Sequence, residues 1–196
     1  ASGLVASNDA PGGNVTGSSD LTPVEDQFDL LVRLIPSAKK VGLLYCTAES
    51  NSDVQVALAE AAASARGLEA VRFSVSSSNE IQQVVESMIG KVDVAYAPTD
   101  NTIAAGMSTV SMVAIEHKLP VIVGEQGMVD NGGLATYGIN YDQLGYKAGQ
   151  MAVKVLKGEA KPAEMPIEYL AAEDCTLATN QATADAIGVD LSVLGT

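Results

Sequence analysis

The sequence predicts an α/β fold with a doubly wound parallel sheet, one complete lobe accompanied by part of a second. Three observations lead there. Between residues 41 and 124, short β-rich apolar runs alternate with helical patterns. Caps and breakers punctuate that alternation at the spacing of βα units. The segments flanking it contain strand and helix patterns that lack enough neighbours for a sheet of their own. Parallel strands joined through helices cross over right-handedly, which places helices on both faces of the sheet.

The elements follow in order. Pro11-Gly-Gly-Asn14 is a turn and residues 15–17 are a short strand candidate. Thr22-Pro23-Val24-Glu25 combines a capping box with proline at the first helical position; Val24, Phe28, Leu31, Val32 and Ile35 face inward and Pro36 stops the helix. Strands are expected at 41–45, 68–75, 92–97 and 120–124. A second capping box, Ser77 with Glu80, opens a helix burying Ile81, Val84, Val85, Met88 and Ile89, and Gly90 closes it. Asp100 or Asn101 caps the next, with Ile103, Met107, Val110 and Ala114 inside. After the turn Asn131-Gly-Gly133 come a strand at 134–138 and a helix with Leu144, Ala148, Met151 and Val155 inward, ended by Lys157-Gly158. Residues 165–170 and 175–178 are further strand candidates, and Asn180 caps a last helix.

Composition narrows the function. The chain has 196 residues, 47% hydrophobic, enough for a buried core. Its 24 acidic against 11 basic residues give a formal charge of -13, which repels nucleic acid and anionic lipid. No apolar run reaches the about 20 residues of a spanning helix. Two cysteines, Cys46 and Cys175, make neither a disulfide framework nor a metal site, and no metal or cofactor is expected. The single histidine, His117, is far in sequence from either cysteine, and no glycine-rich phosphate loop follows a strand. No enzyme motif is present.

In open parallel sheets small molecules sit beyond the carboxyl ends of strands. Here those ends are polar: 47–52, 76–79, 98–102 and 124–127. A zwitterionic ligand needs an acid for its ammonium and hydroxyls, amides or helix-terminal N–H groups for its carboxylate. Asp100 or Glu49 is the candidate acid, and Asn51, Ser52, Asn101 and Thr102 the candidate donors. Helix capping accounts for Asp100, Asn101 and Asn51 equally well. Glu49 and Glu125 read also as solvated loop acids.

Six phrases spread along nearly the whole chain carry a resemblance: 11–20 (PGGNVTGSSD), 38–45 (AKKVGLLY), 97–102 (APTDNT), 120–125 (PVIVGE), 135–141 (ATYGINY) and 156–159 (LKGE). In this order and spacing they resemble the ABC-transporter substrate-binding family that includes tryptophan- and tyrosine-binding members. The resemblance implies a type I periplasmic-binding-protein fold, two doubly wound lobes closing on a ligand in the cleft between them. It implies an extracytoplasmic, periplasmic or lipid-anchored protein whose partners are a small ligand, an amino acid, and an ABC permease. It begins partway through the family's first lobe. Residues 1–20 are then the remnant of that lobe and the crossover, 21–138 a complete second lobe, and 139–196 the return to the first. Ser19, Asp20, Asn140 and Tyr141 would lie where the chain crosses between lobes, with Ser19, Asp20 and Asn140 as ligand candidates beside Glu125. At the position of Asn140 the resemblance implies aspartate, so this chain lacks that charge. The incomplete lobe leaves edges through which a second copy can pair. The alternative is the ligand-sensing effector domain of a transcription regulator with the same fold.

Overall fold

The computed structural model describes residues 3–170 and 174–195. In chain order its elements are β1 (Ser18–Ser19), α1 (Val24–Leu34), β2 (Lys40–Cys46), α2 (Ser50–Ala65), β3 (Glu69–Val75), α3 (Ile81–Met88), β4 (Val94–Ala97), α4 (Asn101–Ala105), α5 (Met107–Glu116), β5 (Val121–Val123), α6 (Gln126–Asp130), β6 (Ala135–Gly138), α7 (Tyr141–Leu156), β7 (Glu168–Tyr169), β8 (Thr176–Thr179) and α8 (Gln181–Ile187). They fall into a larger unit, Thr22–Gly138 with Leu177–Thr196, and a smaller one, Ala1–Leu21 with Ile139–Thr176.

The larger unit is built on a six-stranded sheet of order β3-β2-β4-β5-β6-β8. The β2–β3, β2–β4, β4–β5 and β5–β6 pairs are all parallel, with Val41 opposite both Ala70 and Val94. Successive side chains along a strand point to opposite faces. Leu43, Tyr45, Tyr96 and Ile122 therefore enter one core cluster, with Phe28 and Leu31 of α1 and Val56 and Ala59 of α2. Leu44, Cys46, Ala95, Val121 and Val123 enter the other, with Ile81 and Met88 of α3, Ile103 of α4 and Met107 and Val110 of α5. That is the doubly wound arrangement the near-continuous apolar strands require. The chain runs from β2 out to β3 and then back across β2 to β4, so the strand order reverses between β2 and β4.

Gly106, at φ −96° and ψ 8°, divides the expected helix after residue 100 into α4 and α5, and a Cβ there would stand 2.3 Å from the Cδ1 of Ile81. Neither sequence capping box forms as expected. Thr22 Oγ1 is buried and does not cap the helix, and Pro23 heads α1 with no side-chain cap. Glu80 reaches past Ser77 to accept from the Ser76 amide at 2.7 Å and the Ser76 hydroxyl at 2.9 Å.

Residues 177–196 were expected to return with 139–176 to the first lobe; they join the larger unit instead. The cause is complementarity at a sheet edge. β8 lies beside β6, the Asn180 amide donates to Leu134, and Thr183 Oγ1 donates to Gly132. Ala184, Ile187 and Leu191 are then buried in the cluster containing Phe28.

In the smaller unit β1 and β7 pair in parallel, Ser18 opposite Glu168 and Ser19 opposite Tyr169. Ser18 Oγ donates to the Leu144 carbonyl of α7, Thr16 Oγ1 donates to Met165, and Lys147 pairs with Glu168 at 3.1 Å. Of α7 only Leu144 and Met151 are buried, while Tyr146 and Leu156 are 71% and 85% exposed.

Candidate functional site

The carboxyl ends of β2 and β4, on either side of the reversal in strand order, are where an open parallel sheet leaves a crevice for a ligand. Two loops meet there, 47–49 after β2 and 98–100 after β4. The N-terminal turn of α2 faces the loop after β4, which places Asn51, Ser52 and Gln55 against it. Ser52 Oγ and the Cys46 amide both donate to Asp100 Oδ2 at 2.7 Å, and Asp100 Oδ1 caps α4 by accepting from the Ile103 amide at 2.9 Å. Both oxygens of Asp100 are thus engaged inside the protein, and the residue is 1% exposed. Ser52, fully buried, lies behind the surface with it.

Glu49 occupies the front of α4. Its carboxylate accepts from the amides of Asn101 and Thr102 at 3.0 and 2.7 Å, from Asn101 Nδ2 at 3.0 Å and from Thr102 Oγ1 at 2.8 Å. The first three amides of α4 are therefore all taken by the protein's own carboxylates. Thr99 is gripped from α2: Asn51 Nδ2 and Gln55 Nε2 donate to its carbonyl, and its amide and hydroxyl both donate to Gln55 Oε1. On the other flank the end of β5 presses against the same loop. A Cβ at Gly124 would sit 2.3 Å from the Thr99 nitrogen, so only glycine fits.

The sheet thus brings together six of the sequence candidates, Glu49, Asn51, Ser52, Asp100, Asn101 and Thr102. Glu125 accepts from the Gly127 amide at the head of α6. Asn140 caps α7 by accepting from Gln143, Ser19 Oγ accepts from the Leu21 amide, and Asp20 is exposed; these three belong to the smaller unit. Gln55 and Thr99 escaped the sequence reading. A signal was available for Gln55, since 51, 52 and 55 share one helical face and all three are polar. Gln27 also escaped it. Fully buried in α1, it spreads its amide N–H groups over the carbonyls of Gly124 and Tyr137 and the hydroxyl of Thr136, and accepts from Tyr96 at 2.6 Å. This node fixes the ends of β5 and β6 against α1.

Burial pushes the Glu49 carboxyl up, but the four donors of Asn101 and Thr102 outweigh it and hold its pKa below the ordinary 4.5. The fold therefore favours the ionised form. Its contribution is complete above pH 4.5 and is lost as pH falls through the lowered folded value. Glu49→Gln should melt below the wild type at neutral pH, and the gap should close in acid; thermal scans from pH 7 to 3 measure it, and a gap constant with pH would sink the assignment.

A surface depression of about 580 Å³ lined by Gln181, Asp185, Asp190 and Ser192 lies elsewhere. It adjoins the last turn of α1, where Arg33 donates to the carbonyls of Val193 and Leu194. The first turn of α1, with Gln27, is the one beside the strand carboxyl ends.

The profile of the ABC transporter substrate binding protein family matches residues 1–193. The chain belongs to that family. Among its relatives, a tyrosine-binding protein of Clostridioides difficile (strain R20291) is 42% identical over 185 residues, 94% of this chain and 53% of the relative. The crystal structure of an ABC domain in complex with L-Trp from Streptococcus pneumonia superposes with a TM-score of 0.89 at 40% identity, covering 98% of this chain and 65% of that one. The chain accordingly spans about half the length of that curated relative. A LacI family transcriptional regulator from Bifidobacterium animalis subsp. lactis, at 14% identity and TM-score 0.61 over 85% of this chain and 64% of that one, shares the fold alone. Among the described residues no helix is long and apolar enough to cross a membrane.

Proposed function

We propose that the chain is part of the extracytoplasmic solute-binding component of an ABC importer, taking an amino acid with an aromatic side chain. The reading is carried by the polar, internally braced cluster at the β2–β4 reversal, in a chain 42% identical to a tyrosine-binding protein. Glu49, Asn51, Asn101 and Thr102 are the ligand-facing members of that cluster, and Ser52 and Asp100 hold them from behind. Ser19, Asp20 and Asn140 contribute from the segments that cross between the family's lobes, and Glu125 from the end of β5. The ligand favours a closed form by binding it more tightly than the open one, and the permease recognises the closed form. The protein binds and releases its ligand without altering it.

Calorimetric titration of the full-length protein against the common amino acids tests this. Saturable heat is expected with L-tyrosine or L-tryptophan; absence of heat with every amino acid would remove the amino-acid reading.

A further inference from the structure

Asn131 is the only asparagine of the chain that precedes a glycine. That dipeptide has a chemistry of its own. The backbone nitrogen of the glycine attacks the side-chain carbonyl carbon of the asparagine and a C–N bond forms. The side-chain nitrogen leaves as ammonia, taking the glycine's amide proton with it. Water then opens the five-membered succinimide at one carbonyl or the other, giving aspartate or isoaspartate, and nothing is oxidised or reduced. Glycine favours the attack because no Cβ shields its nitrogen and its backbone turns freely. Asn131 is exposed at the end of α6, so water reaches it.

The folded turn withholds the reaction. Ring closure needs the Gly132 nitrogen nearly eclipsed with the Asn131 Cβ, whereas ψ of 21° at Asn131 holds it far from that position. The Asn131 side chain is anchored as well, Nδ2 donating to the Gly127 carbonyl at 2.7 Å, and the Gly132 amide donates to Val129 at 3.0 Å. Rotating ψ would lift Gly132 from its seat on α5, where a Cβ would stand 2.1 Å from Ser111 Oγ. Two side chains of the C-terminal segment clasp both ends of this turn. Thr183 Oγ1 donates to the Gly132 carbonyl at 3.2 Å, and Asn180 Nδ2 donates to the Val129 carbonyl at 2.9 Å.

We propose that Asn131 is a deamidation site locked by residues 177–196, and that its conversion makes the release of that segment one-way. The rate follows the fraction of molecules in which the clasp is open. Isoaspartate routes the main chain through the side chain and adds one methylene before Gly132. The glycine then no longer meets Ser111, Val129 and Thr183 together, and the segment does not re-dock as before.

The test incubates full-length wild type and Thr183→Val in warm, mildly alkaline buffer, with and without urea enough to unfold them. Peptide mapping by mass spectrometry follows the gain of OH for NH2 at each asparagine. Valine keeps the shape of threonine and removes only the hydroxyl; melting curves verify folding. Loss of one such hydrogen bond shifts an opening equilibrium about fivefold. Thr183→Val should therefore convert Asn131 about fivefold faster than wild type when folded and at the same rate in urea, where Asn131 should outpace every other asparagine. Asn180→Ser, which keeps a capping oxygen for α8 but cannot reach Val129, should accelerate the folded protein likewise and serves if Thr183→Val does not fold. Aged wild type should lose residues 177–196 to a protease faster than fresh protein. Folded variants no faster than wild type, a folded wild type as fast as the unfolded chain, another asparagine leading in urea, or equal proteolysis of aged and fresh protein would each overturn the proposal.

Discussion

Gly124→Ala is expected to lower stability by about 3 kcal/mol or more and to abolish ligand binding at the strand ends. The added Cβ would stand 2.3 Å from the Thr99 nitrogen, 2.5 Å from the Pro98 carbonyl carbon and 3.1 Å from the Pro98 Cα. All three are backbone atoms, which cannot swing aside as a side chain would, so overpacking falls at the severe end of its usual range. The loop that must move carries Thr99 and Asp100, and its displacement strains the contacts with Gln55, Ser52 and Cys46 together. Gly149→Ala is the matching control. It lies in α7 with nothing within 4 Å of the new carbon and should be neutral or stabilising by up to about 1 kcal/mol. Chemical denaturation of the two variants measures both effects; a Gly124→Ala midpoint equal to wild type would refute the close approach.

The second large effect is expected at Gln27. Leucine there matches the volume closely but leaves the Tyr96 hydroxyl, the Thr136 hydroxyl and the carbonyls of Gly124 and Tyr137 without this partner. An unsatisfied buried polar group costs about 1–3 kcal/mol, and several share one side chain here, so a loss of about 4 kcal/mol is expected. Tyr96→Phe removes one of these bonds and keeps the tilted ring packing on Phe28, 5.0 Å between centroids; about 1–2 kcal/mol is expected. If Gln27→Leu proved no worse than Tyr96→Phe in urea denaturation, the node would not be cooperative.

What the sequence disclosed and what it hid divide along physical lines. The strands and the two-faced core were readable because period-2 and period-3.6 patterns report directly on burial: Ile103, Met107, Val110 and Ala114 were placed inside and are inside, even though Gly106 splits their helix. The polar strand ends were readable because parallel topology fixes which ends matter. Direction of hydrogen bonding was not. Asp100 and Glu49 look alike as loop acids, and only the fold shows one buried with its oxygens taken and the other half-exposed across the first amides of α4. Gln27 and Gln55 were invisible for a related reason. A glutamine on a helix is an ordinary solvated residue unless distant segments, here β4 to β6 for one and the 98–102 loop for the other, arrive to bond it. The destination of residues 177–196 was hidden as well, since a four-residue edge strand carries no mark of the sheet it will join.

That last segment bears on how the molecule is made. The first core residues of the larger unit, Val24 and Phe28, share a cluster with Ala184, Ile187 and Leu191, more than 150 residues later in the chain. Loop closure over such separations slows folding. During synthesis β6 must wait, its outer edge unpaired, until β8 has left the ribosome, and an unpaired strand edge is the part of a nascent domain most open to wrong partners. The sheet is thus sealed only after β8 has been made.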